Sequence, residues 1–229
     1  MRLLAVDAST ENCSAALLLG DRLMLRSTLT ERRHAELLLP MIDELLKAAA
    51  TSLRDLDALA FGRGPGGFTG LRLAAGVVQG LALATGLPVV PVSSLAAVAW
   101  QVDARSDEPV LVCNDARMGE VYVGCFAKTG ETVDPLADES VLTPEHVLSR
   151  SWPARHAAGN GLARYVTLAS GLRQAGLQVH DNVYPRADAV AQLARHQFAH
   201  GHAVDAADVA LVYVRDEVAR PAGAGVTAM

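Results

Sequence analysis

Apolar residues in the first thirty positions fall in short runs. Residues 3–6 form one, stopped by Asp7-Ala8-Ser9-Thr10-Glu11-Asn12. Residues 13–19 form a second, stopped by Gly20-Asp21, and residues 22–28 form a third. Short runs separated by turn formers predict an antiparallel meander of three strands. The period then changes. From about His34 to Ala50, Leu37, Leu38, Met41, Ile42, Leu45, Leu46 and Ala49 fall on one helical face. Pro40 cannot donate an i→i−4 bond, so it marks a first turn or a kink. Asp57–Phe61 predicts a fourth strand. Thr69–Thr85 predicts a second helix, closed by Gly86 with Pro88 just beyond. Val89–Val92 predicts a fifth strand, and Ser93 or Ser94 can cap a short helix after it.

The first half therefore reads β-β-β-α-β-α-β. Three hairpin-linked strands and two crossovers make a mixed sheet flanked by helices. This is the order of one lobe of the actin-like (ASKHA, ribonuclease-H-like) α/β fold. The polar stretch Asp103–Pro109 is a plausible boundary, giving lobes at 1–102 and 103–229. A partial echo follows it. Leu111-Val112-Cys113-Asn114-Asp115 resembles Leu3-Leu4-Ala5-Val6-Asp7, and Val121–Phe126 answers Ala15–Leu19. Either the lobe is duplicated, as the actin-like fold requires, or two hairpins merely look alike. Later, 186–199 predicts a helix with Val190, Leu193, Ala194 and Phe198 inward. Val209–Tyr213 predicts a last strand, and the Gly/Ala-rich tail Pro221–Met229 is expected to fray.

Composition narrows the function classes. With 229 residues, either arrangement can bury a proper core. Hydrophobic residues make up 51% but aromatics only 4%, so the core is Ala, Leu and Val and its elements can approach closely. The net charge is −5 with no Lys/Arg run, which argues against a protein that grips nucleic acid alone. Cys13, Cys113 and Cys125 are odd in number and widely spaced, as buried reduced thiols in a cytoplasmic protein would be. The N-terminus meets Asp7 too soon for a signal peptide. The longest apolar stretch is broken by Gly and Gln79, so no transmembrane span is expected.

The candidate chemistry centres on Gly62-Arg63-Gly64-Pro65-Gly66-Gly67, which formally matches G-x-G-x-x-G between a strand and a helix. Pro65 removes one of the N–H groups that would cradle a pyrophosphate. No acid stands about twenty residues on, where Val-Val-Pro-Val lies. No Lys follows the last Gly, which excludes a P-loop. The helix after it has only Arg72 and Gln79 as polar residues between Leu71 and Ala84. A helix apolar all round must be covered all round. Gly76, Gly80 and Ala84 lie four apart, as do Gly70 and Ala74, where a second helix could come close. On these residues alone the helix is a docking face or an internal core helix.

Other constellations are weaker. Asp7-Ala8-Ser9-Thr10 stands where actin-like kinases place Asp-x-Gly-Thr for metal and phosphate, but the Gly is missing. Asp7, Ser9 and Thr10 form either a vestigial nucleotide site or a capped turn. Gly159-Asn160-Gly161 is either the remnant of an adenosine-contacting turn or an ordinary strand-to-helix connection. His196 and His200 have metal-ligand spacing near a helix end, where the dipole also favours them without metal. No G-x-S-x-G elbow supports Ser-His-Asp chemistry.

Several segments together resemble the TsaB (YeaZ) family: Gly62–Arg72 with Gln79-Gly80-Leu81-Ala82, the opening Asp7–Thr10, Arg33-His34 to Leu39-Pro40, Asp115–Tyr122, and Tyr213-Val214-Arg215. The resemblance implies an actin-like two-lobe fold and a part in making threonylcarbamoyladenosine in tRNA. It implies a non-catalytic subunit that pairs with the catalytic paralogue TsaD, with the ATPase TsaE joining and TsaC supplying the threonylcarbamoyl-adenylate. The tRNA would be met only through the complex. No intrinsic cofactor is implied, and ATP or ADP belongs, if anywhere, at the joint interface. Lobe-one helices would form that interface, and the same surface can make a homodimer when the partner is absent. The expected face comprises Arg33, His34, Leu37, Leu38, Met41 and Leu45 with Gly70, Leu73, Ala74, Gly76, Val77 and Gly80. The paralogue's H-x-x-x-H metal ligands are replaced by Ser94-Leu95-Ala96-Ala97-Val98, so no metal-dependent step is expected, nor the activity of the superfamily's old glycoprotease label. The alternatives are an actin-like ATPase or kinase acting alone, and a hydrolase using a metal at His196 and His200.

Overall fold

The computed structural model describes residues 1–214. The opening meander forms as β1 (Arg2–Asp7), β2 (Asn12–Leu19) and β3 (Arg22–Leu29), each antiparallel to the next. Helix α1 (His34–Ala48) and strand β4 (Ala58–Gly64) follow, then α2 (Phe68–Thr85), β5 (Val89–Ser93) and α3 (Ser94–Gln101). β4 is parallel to β1 and β5 to β4, giving the order β3-β2-β1-β4-β5.

The second half repeats this plan. Its strands are β6 (Val110–Arg117), β7 (Glu120–Thr129), β8 (Thr132–Pro135), β10 (His156–Gly159) and β11 (Gln178–Asp181). They lie in the order β8-β7-β6-β10-β11, with the same antiparallel and parallel senses. The extra strand β9 (Ser140–Leu142) pairs with β7. The helices are α4 (Pro144–Ser149), α5 (Asn160–Arg164), α6 (Val166–Gln174) and α7 (Ala187–Ala199). Two sheets with one strand order make this the duplicated actin-like fold, so the echo between Asp7 and Asp115 is a true repeat.

The layers are not divided where the sequence divides. The outer face of the first sheet is covered by α1 and α2, and that of the second by α4, α5 and α6. Between the sheets lie α3 and α7, and they cross over. α7, from the second half, packs on all five strands of the first sheet, while α3, from the first half, packs on β6, β7, β8 and β10. Leu3, Ala5, Val90, Leu95, Val98, Val112, Phe126, Val190 and Leu193 meet in one core. The inward residues expected on 186–199 do point inward, with Phe198 at the margin.

Two sequence expectations are corrected. Val209–Tyr213 is not a strand. It is an irregular segment with Val209 and Leu211 against the α2 layer, and Val212 N–H donates to the Arg63 carbonyl at 3.0 Å. That one bond to β4 is not continued into a ladder among the described residues. The glycine segment is also less of a loop than its composition implies. Gly62 and Gly64 still pair with Val92 and Ser93 of β5 across a bulge, so Gly62–Gly64 is strand and only Pro65–Gly67 turns. Arg215 and the tail Pro221–Met229 lie outside the described residues.

Candidate functional site

The β1–β2 turn is where an actin-like protein would hold phosphate. Here Asp7 is fully buried. Its Oδ1 accepts from the Ser9 N–H at 2.9 Å and the Ser9 hydroxyl at 2.8 Å, and Ser94 Oγ lies 3.4 Å from Oδ2. Gly62 lies directly against it, since a Cβ there would sit 1.8 Å from Asp7 Oδ2. Burial pushes the Asp7 carboxyl up to about 6 despite the Ser9 and Ser94 hydrogen bonds. The carboxylate is therefore locked in a local turn, and it does not line the interlobe cleft. Of the two readings of Asp7, this geometry is that of the capped turn. Ser9 and Thr10 do line the cleft, but their backbone is committed. Ser9 O accepts from Gly67 N–H at 2.7 Å, and His34 Nε2 lies 2.9 Å from Thr10 O.

A folded carboxyl that titrates near 6 holds its proton longer than an unfolded one near 3.8. The stability it lends is full below about 3.8 and is lost as pH rises through about 6. The difference corresponds to about 3 kcal/mol. Asp7→Asn keeps the shape without the charge, so it should stabilise the chain by up to about 3 kcal/mol near pH 7.5 and by almost nothing near pH 4. Urea unfolding at the two pH values measures this; equal effects at both would refute the assignment.

The cleft itself encloses about 510 Å³ between the turn, the first residues of α1 and α2, and the β6–β7 turn. A second cavity of about 280 Å³ lies beyond Glu11 and Asp115. Glu11 crosses between the lobes to Arg117 at 2.8 Å and to Asn160 at 3.0 Å, and so separates the two spaces. With Asp7 sealed and a side chain bridging the cleft, the residues present do not fit a metal-bound nucleoside triphosphate. Gly159 and Gly161 are packing positions: a Cβ on either would meet the Cys113 carbonyl, at 2.3 and 2.7 Å. The three thiols are buried and burial pushes each up, Cys113 to about 12. The His196 and His200 rings lie 4.2 Å apart, tilted by 32°, and among the described residues no third His, Cys, Asp or Glu joins them as a metal ligand set.

Helix α2 has a different character. Five of its eighteen residues are buried, namely Leu71, Ala74, Ala75, Val78 and Ala82. By length and composition it is apolar enough to cross a membrane, yet it lies as an outer layer on the sheet. Among the described residues, one side of it is left uncovered, so they do not make it an internal core helix. The exposed stripe runs through Arg72, Gly76, Gly80 and Leu83, the last 71% exposed, and it is flanked by the half-buried Leu73 and Val77. No atom lies within 4 Å of a Cβ built on Gly76 or Gly80. Beside it, α1 presents Arg33, His34 and Leu37 at its leading end.

Several residues expected on this face are elsewhere. Leu38, Met41 and Leu45 pack into the core under the first sheet, as does Ala74, so they have almost no surface to offer. Gly70 serves its own chain, because a Cβ there would sit 1.8 Å from the Ala8 carbonyl. Leu83 was missed, though it lies three residues after Gly80 and seven after Gly76, on the same face. Phe68, 44% exposed beneath the Arg72 guanidinium at 3.7 Å, was missed as well.

The repeated sheet order and the interlobe cleft define a protein of the actin-like class. Residues 27–212 match the family described as TsaD, tRNA N6-adenosine threonylcarbamoyltransferase. The chain is 36% identical, over 95% of both chains, to the tRNA threonylcarbamoyladenosine biosynthesis protein TsaB of Haemophilus influenzae. It is 36% identical to TsaB of Escherichia coli over 96% of both. The solved structure of YeaZ from Pseudomonas aeruginosa is 39% identical with a TM-score of 0.81, covering 93% of this chain and 99% of that one. The chain belongs to the TsaB (YeaZ) family.

Proposed function

We propose that this chain is a cytoplasmic, non-catalytic subunit in the synthesis of threonylcarbamoyladenosine in tRNA, and that it acts by pairing with the catalytic paralogue TsaD. The observation that carries this reading is the uncovered apolar stripe of α2. Exposed apolar patches of this kind mark protein contacts, and small residues at Gly76 and Gly80 let a facing helix approach closely. The family relationship supplies the process and the paralogue supplies a partner with the same lobe. TsaE would join the pair, TsaC would supply the activated intermediate, and tRNA would be met by the assembly. Nucleotide, where it takes part, belongs at the joint interface and not in this chain's own cleft. A stand-alone ATPase is disfavoured by the sealed Asp7 and the bridged cleft.

The test is reconstitution. Purified chain and TsaD should co-elute as a heterodimer, and threonylcarbamoyl transfer to tRNA should need both. Full transfer by TsaD without this chain would overturn the reading, as would turnover of ATP by this chain alone.

A further inference from the structure

The β1–β2 turn, residues 8–12, touches four separate parts of the molecule. His34 Nε2 at 2.9 Å from Thr10 O fixes the start of α1. Gly67 N–H on Ser9 O at 2.7 Å, with Gly70 against Ala8 O, fixes the start of α2. Asn12 Nδ2 donates to the Pro185 carbonyl at 3.0 Å, just ahead of α7. Glu11 completes the set by reaching the second lobe. Its Oε1 accepts from Arg117 Nη2 and its Oε2 from Asn160 Nδ2. Those two partners are themselves held. Asn160 Oδ1 accepts the Asp115 N–H at 3.0 Å, while Asp115 Oδ1 accepts the Arg117 N–H at 2.9 Å and the Tyr165 hydroxyl at 3.1 Å. The Glu11 side chain is 27% exposed. Arg117 is 61% exposed, so its ion pair is largely screened by water, and the bond to the buried Asn160 carries more of the contact.

We propose that Glu11 is an interlobe latch: it fixes the angle between the two sheets, and through its own turn it ties the leading ends of α1 and α2 to that angle. The competing account is that the shared apolar core, with the Tyr122 hydroxyl on the Gly66 carbonyl at 3.3 Å and Arg63 beside Glu139 at 3.5 Å, sets the angle without Glu11. The two differ in what removal of one carboxylate does. A latch that joins two otherwise rigid bodies releases a collective motion, whereas loss of a surface pair leaves the angle alone.

The test uses the full chain with Arg54→Cys and Val166→Cys, one exposed site on each lobe, spin-labelled for distance measurement. The three native thiols are buried and should stay unlabelled. The parent should give one narrow distance distribution. In Glu11→Ala it should widen about twofold, and amide exchange in residues 34–40 should speed up about tenfold. Arg117→Ala should shift both readouts in the same direction by less, because Asn160 still holds Glu11. An unchanged distance width in Glu11→Ala would show that the angle is set without Glu11 and would overturn the proposal. Widening without faster exchange in 34–40 would overturn the tie to α1.

Discussion

On the proposed pairing, Gly80→Arg should leave the chain folded and stop it co-eluting with TsaD. Apart from the helix's own backbone, no described atom lies within 4 Å of the added Cβ, so the new side chain has room among the described residues. Glycine is also a poor helix former, so replacing it in mid-helix should raise stability by about 0.5–1 kcal/mol. In the complex, the same side chain fills the space a facing helix would occupy and brings an unpaired charge into an apolar contact. Affinity should fall by at least about a hundredfold, or about 2.7 kcal/mol. Gly76→Arg should behave likewise. The check is a melting curve beside size-exclusion chromatography of the mixture. A variant that melts no lower than the parent and still co-elutes would remove α2 from the interface.

Gly70→Ala does the opposite. The substitution is smaller, yet the added Cβ would sit 1.8 Å from the Ala8 carbonyl, a backbone atom that cannot swing aside. Either α2 lifts from the β1–β2 turn or the turn moves and breaks the contacts around Ser9. Overpacking of this kind costs about 3 kcal/mol. Denaturant unfolding should show that loss, while Gly80→Ala on the same helix gains about 1 kcal/mol. Equal midpoints for the two variants would mean that the packing of the turn is wrongly described.

The first lobe was legible in the sequence because its periods are clean and its stops are chemical. The Gly20-Asp21 turn, the face through Leu38, Met41 and Leu45, and the Gly86-Pro88 stop each have one dominant cause. Val209–Tyr213 misled because alternation says that a segment can be extended, not that a strand edge is waiting for it. The outer side of α2 was half legible. Helical periodicity groups residues by angle, and Gly76 and Gly80, grouped that way, are exposed. Periodicity does not say which side the sheet takes, and Leu38, Leu45 and Ala74, expected outward, are buried. Glu11 and Asn160 carry no sequence signal for their meeting: a contact between residues 149 positions apart exists only once two sheets have been set facing each other.

The exchange of α3 and α7 has a consequence for how the chain is made. The first sheet is complete in sequence once β5 has been synthesised, but its inner face is sheltered by a helix that ends at Ala199. At ribosomal rates of roughly 5–20 residues per second, about a hundred further residues keep that face uncovered for roughly 5–20 seconds. For that interval the nascent chain carries an apolar sheet with no lid of its own. Birth, more than heat, is then the hazardous moment for this protein, and a substitution that slows the arrival of α7 would show first as poor yield rather than as a lower melting temperature.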